Sequence, residues 1–97
     1  MTINEYIQKL ENYSNAHNIN ADLYTFVFGC DNGPKYTRIW RTERYGDGTE
    51  NKYKVVFCFV DQQGNIYKPA GWKAPAKGVR GHLDGFAPME CYQLYAR

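Results

Sequence analysis

Tyr67-Lys68-Pro69-Ala70-Gly71-Trp72-Lys73-Ala74-Pro75-Ala76-Lys77-Gly78-Val79-Arg80-Gly81 combines four cations, two aromatics, three glycines and two prolines with no carboxylate. The acid-free window runs from Gln62 to Leu83. Ammonium and guanidinium groups pair with phosphates, and a ring set among them can stack on a base, so this mixture suits an anionic partner. Lys68, Lys73, Lys77 and Arg80 are the candidate phosphate contacts, and Trp72 is the candidate stacking ring. Pro69 and Pro75 restrict the backbone in advance, which lowers the ordering cost of binding. The plainer alternative is a connection that folds Trp72 over the open side of a sheet.

A second constellation lies in residues 35–44. Strand alternation puts Tyr36, Arg38, Trp40, Thr42 and Arg44 on one face and Lys35, Thr37, Ile39, Arg41 and Glu43 on the other. Arginines interleaved with aromatics can pair phosphates and stack bases together, so Arg38, Trp40 and neighbouring Arg41 join the candidate set. A domain this small rarely spares a Trp from its core. The more ordinary expectation therefore buries Trp40 beneath a helix, with the arginines reaching outward at its edges.

Catalytic chemistry finds little support. His17 and His82 are the only histidines and Ser14 the only serine, and no nucleophile elbow surrounds it. P-loop, GxGxxG and calcium-loop spacings are absent, so no enzyme activity, cofactor, metal or catalytic residue is expected. Cys30, Cys58 and Cys91 are odd in number and widely spaced, which favours reduced thiols in a cytoplasmic protein. Met1 leads straight into a helix-start signal without a basic and apolar leader, and the longest apolar run, Val55 to Val60, is too short to cross a membrane. No membrane partner is expected.

The elements that must carry these residues are legible in part. The 97 residues form one domain, 1–97, with an aromatic content of 16% and few leucines, which favours strands over a helical bundle. Thr2-Ile3-Asn4-Glu5 fits a capping box, and Ile3, Tyr6, Ile7, Leu10 and Tyr13 recur at helical spacing, predicting a helix over 3–15. Strands are expected over 23–28, 35–44, 52–60 and 66–68. Asn32-Gly33 is read as a hairpin turn with positive φ, and 45–51 as a polar loop. Phe57-Cys58-Phe59-Val60 invites comparison with the RNA-recognition-motif signature, but Val56 holds its glycine position and Gln62 its last aromatic position. A buried central strand accounts for these residues better. Pro75 is expected to start a helical turn, and 89–97 to form a short helix or an edge strand. The fold class is thus α+β: an N-terminal helix on a four-stranded antiparallel meander, with an irregular or short-helical C-terminal region.

Charge follows the same division. Residues 35–80 hold ten Lys and Arg against Glu43, Asp47, Glu50 and Asp61, a net +6, while 1–34 carry −3 and 81–97 carry −1. Such asymmetry points to an anionic partner for the middle of the chain.

The run from Phe59 to Gly81 resembles a segment of short proteins from tailed bacteriophages and viral metagenomes, which share a Y-K-x-A-x-W-K-x-P-A-K-x-x-R-G arrangement. The resemblance implies a phage-encoded protein, in the bacterial cytoplasm or packaged in a virion, and carries over no catalytic residue. Together these readings lead to an expected nucleic-acid-binding accessory protein with little sequence specificity, favouring single-stranded DNA or RNA over duplex. The alternative is a protein-interaction module that docks on a host protein, as an inhibitor of host defence or a minor virion component, because Trp, Tyr and Arg also dominate protein hot spots. An exposed edge strand would also allow a homodimer.

Overall fold

The computed structural model of the chain describes residues 1–94. Helix α1 spans Ile3–Ala16 and begins as its sequence requires: the Thr2 hydroxyl accepts from the Glu5 amide, and the Glu5 carboxylate accepts from the Thr2 amide. Five strands follow in one antiparallel sheet whose spatial order is also the chain order: β1 Tyr24–Asn32, β2 Tyr36–Tyr45, β3 Val55–Asp61, β4 Asn65–Pro69 and β5 Pro75–His82. A short helix, α2, covers Pro88–Gln93. Residues 95–97 of the segment expected to form a short helix or an edge strand lie outside the described residues.

The α+β architecture matches expectation at this level, but the meander has five strands rather than four. The fifth replaces the helical turn expected at Pro75. Its sequence lacks alternation because an edge strand needs only one ladder and tolerates Pro at its first residue. Two register shifts against β4 and the positive φ of Gly78 absorb the remainder. The first turn differs as well. Neither Asn32 nor Gly33 has a positive φ; Asn32 ends β1, and the Gly33 amide donates to the Tyr36 carbonyl across Pro34 and Lys35. The polar loop after β2 lies back along the strand, with Thr42 Oγ1 donating to the Asn51 and Tyr53 carbonyls.

The core fills the space between one sheet face and the two helices. Tyr6 and Leu10 of α1 meet Phe28, Ile39, Val60 and Ile66 of the sheet and Cys91 of α2, and the buried Ser14 hydroxyl shares a hydrogen bond with the Tyr92 hydroxyl. Phe57 and Cys58, consecutive in β3, both enter this core. A bulge permits it: Ile39 pairs with Cys58 while Trp40 pairs with Val56, leaving Phe57 as the extra residue. Beyond the bulge, Phe59 faces away from the helices. The three cysteines are free thiols. A hydrogen bond with Cys91 and then burial push the Cys58 thiol up, and burial does the same to the neighbouring Tyr6 phenol, so both stay neutral packing groups.

Both sheet edges are blunted by different means. Along β1, side chains from α1 and its exit take the outward backbone groups. Asn15 accepts from the Phe26 amide at 2.7 Å and donates to its carbonyl, Glu11 accepts from the Phe28 amide, and Asn18 donates to the Tyr24 carbonyl. On β5, Pro75, Lys77 and the register shifts spoil the template for a further strand.

Replacing Asn15 with Ala leaves both Phe26 backbone groups without their partner. We expect a loss of about 1–3 kcal/mol in urea unfolding. Asn12→Ala, on the exposed side of the same helix, is expected to stay within about 0.5 kcal/mol of wild type.

Candidate nucleic-acid interface

The sheet face opposite the helices carries the residues singled out in β2, together with partners from every neighbouring element. Register places Asp31 beside Arg38, Gly29 beside Trp40, Phe59 beside Arg38 and Asp61 beside Tyr36. Phe59 is buried although it lies outside the core cluster, because Tyr36 and Tyr67 close over it. The Tyr36 ring meets Phe59 edge-on at 6.3 Å and Tyr67 at 5.3 Å, both within the range of favourable aromatic pairs.

The turn between β4 and β5 folds back over this floor. The amides of Ala70 and Gly71 donate to the Ala74 carbonyl, bringing Trp72 above Arg38. Arg38 is then engaged in three ways. Its guanidinium lies 4.2 Å from the Trp72 ring centre, donates to the Trp72 carbonyl at 3.0 Å, and pairs with Asp31 Oδ2 at 3.0 Å. Trp72 itself remains 38% exposed.

Trp40 occupies the same face, which corrects the expectation that it lies under the helix. β2 gives its helix-facing position to Ile39, which is fully buried. The indole instead lies across Gly29, where a Cβ would stand 2.3 Å from the ring, and the Lys54 ammonium caps it at 4.1 Å. Its Nε1 is buried without a hydrogen-bond partner. Trp40 is thus a half-buried filler of the open face rather than a free stacking surface.

Between the β1–β2 turn and the β4–β5 turn lies a cleft of about 340 Å³, walled by Tyr36, Arg38, Phe59, Lys73 and Pro75, with Asp31 at its rim. A second hollow of about 270 Å³ adjoins it beside Tyr67 and the 61–63 turn. Gln62 donates to the Pro34 carbonyl and ties the 61–63 turn to the β1–β2 turn. Asp61 organises the far wall. Its carboxylate is opposed by partial desolvation but held below its usual range by donors from Asn65, Tyr67 and Gln63. The same bond pushes the Tyr67 phenol up.

The family model described as Family of unknown function (DUF7717) matches residues 1–93. The chain belongs to this family. No curated protein and no solved structure matches it. The family match spans all the walls of the cleft, from Asp31 to Pro75.

Of the expected site residues, Arg38, Trp40, Trp72 and Lys73 come together on the open face. Lys77 and Arg80 are exposed on the β5 edge. Arg41 does not join them: it lies on the helix-bearing face, 4.8 Å from the Phe26 ring and 6.0 Å from Phe57. Lys68 follows Tyr67, and alternation sends it to the opposite side from that ring. Lys35, Tyr36, Lys54 and Tyr67 were missing from the expected set. Tyr36 was within reach, since it alternates with Arg38 and Trp40, whereas Lys54 reaches Trp40 only through the β2–β3 pairing. Among the described residues no group of three or more His, Cys, Asp or Glu could hold a metal ion, and no helix is long and apolar enough to cross a membrane.

Gly29→Ala forces Trp40 off its seat, and we expect about 1–3 kcal/mol of destabilisation in chemical denaturation, with altered tryptophan fluorescence. Asp61 supplies a pH signature. Its folded pKa lies below the unfolded value near 3.9, so its contribution is complete above that pH and is lost as pH falls through the lower folded value. Thermal melts below about pH 4 should therefore decline more steeply for wild type than for Asp61→Asn.

Proposed function

We propose that the open sheet face binds single-stranded nucleic acid through backbone charge and aromatic stacking. The observation that carries this reading is the grouping of Tyr36 with Lys35 and Lys73 around the first cleft, with Tyr67 lining the adjoining hollow and Trp72 held over Arg38, a wall of that cleft. Bases stack on rings whatever their identity, and lysines at the rim follow phosphates, so the combination suits binding with little sequence preference. A cleft between two turns accepts a flexible strand more readily than a rigid duplex. Lys54, Lys77 and Arg80 extend the positive surface beyond the cleft. The resemblance of residues 67–81 to phage segments supports an accessory role in an infected bacterial cell.

One observation favours the protein-docking alternative. Asp31 already neutralises Arg38, leaving part of the cleft walled by Pro34, Pro75 and rings, as at protein hot spots. Salt separates the two readings.

Fluorescence anisotropy with labelled single-stranded DNA, RNA and duplex across a salt series tests the proposal. Engagement of three to five phosphates predicts a log–log slope of about −2 to −3.5 for single strands. Trp72→Ala combined with Lys73→Glu should abolish most binding while the protein stays folded, with the lost ring alone costing about 1–3 kcal/mol. Absence of binding at low salt would overturn the proposal and leave the face to a protein partner.

A further inference from the structure

The two hollows on the open face share three residues, Pro34, Lys35 and Tyr36, and part company there. These three residues form the boundary between them, and Tyr36 supplies its one aromatic ring. We infer that Tyr36 is a wedge between two base subsites, and that the minimal ligand is a dinucleotide step whose bases are splayed to either side of it. This inference rests on the nucleic-acid reading above.

Size and chemistry both support it. Each hollow, at about 340 and 270 Å³, sits near or below the lower end of small-molecule pockets, so each suits one planar ring rather than a stacked run. Phe59 and Pro75 wall the first, and the Tyr67 ring walls the second. Each hollow also holds a carboxylate, Asp31 in one and Asp61 in the other. A carboxylate repels a phosphate, so the phosphates belong at the rim and the bases inside; Asp31 keeps an acceptor for a base amino group, whereas each Asp61 oxygen already accepts two hydrogen bonds. Arg38 directs both of its bonds to Asp31 at Oδ2, leaving Oδ1 to solvent in a side chain that is 45% exposed.

The phosphate joining two such bases must pass over Tyr36, and a cation stands there. Lys35 Nζ lies 5.5 Å from the Tyr36 ring centre, and Lys35 lines both hollows. Unlike Arg38, Lys35 makes no ion pair among the described residues. It is the group placed to meet the linking phosphate, whereas Lys73 lines the first hollow alone.

Competition against a labelled hexamer of deoxycytidine tests the inference, with cytidine monophosphate and the dinucleoside monophosphate CpC as competitors. CpC should compete at least about 10-fold better than the mononucleotide. Lys35→Gln should erase most of that increment, weakening CpC by a larger factor than cytidine monophosphate, because only CpC carries a phosphate between two bases. Tyr36→Ala should weaken CpC by about 5-fold or more, the effect of one lost stacking contact. Tyr36 also packs on Phe59 and Tyr67, so Lys35→Gln, at an exposed position, keeps the test independent of folding. Equal competition by the two ligands, competition by neither, or an increment that survives Lys35→Gln overturns the two-subsite inference while the nucleic-acid reading stands. Failure of the hexamer to bind overturns both.

Discussion

One extra residue in β3 governs how this small sheet distributes its rings. Without the bulge at Phe57, alternation would put Phe57 and Phe59 on the same face, and the helices would pack on a thinner set of side chains. With it, Phe57 joins Cys58 and Val60 in the core while Phe59 stays on the open face. The phase change serves both sides at once. The core gains a ring that meets Phe28 and Tyr92 edge-on, and the open face keeps a buried floor on which Tyr36 and Tyr67 stand. A sheet covered by helices on one side would ordinarily leave its other side polar; here that side has an aromatic layer of its own.

Cations on the open face do two different jobs. Arg38 and Lys54 are committed to rings, where each contact is worth about 0.5–1 kcal/mol at an exposed site. Arg38 additionally closes the β4–β5 turn onto β2 through the Trp72 carbonyl and Asp31, so it positions Trp72 rather than offering free charge. Lys35 and Lys73 stand at the mouth of the cleft. The distinction matters for any anionic ligand, because a guanidinium already paired with a carboxylate has far less to gain from a phosphate.

The edges reinforce this division of labour. Glu11, Asn15 and Asn18 seal β1 with side-chain hydrogen bonds, while β5 is left irregular and basic. Neither edge presents a clean ladder to a further strand.

Local signals in the chain determined the capped first helix, the period change after it, the central strand and the basic character of residues 35–80. Each depends on neighbours within a few positions: a capping box, i to i+4 apolar spacing, a run of β-branched and aromatic residues. The alternation of Tyr36, Arg38 and Trp40 was equally readable. Which way that face points was not, because strand alternation has two phases and only packing against α1 selects Ile39 for the core. Arg41 shows the consequence: adjacent to Trp40 in sequence, it ends on the other side of the sheet. The fifth strand, the seat of Trp40 on Gly29, and the joining of two turns into one cleft all rest on contacts between distant segments. Those contacts form only once the sheet closes, and tertiary structure alone decides them.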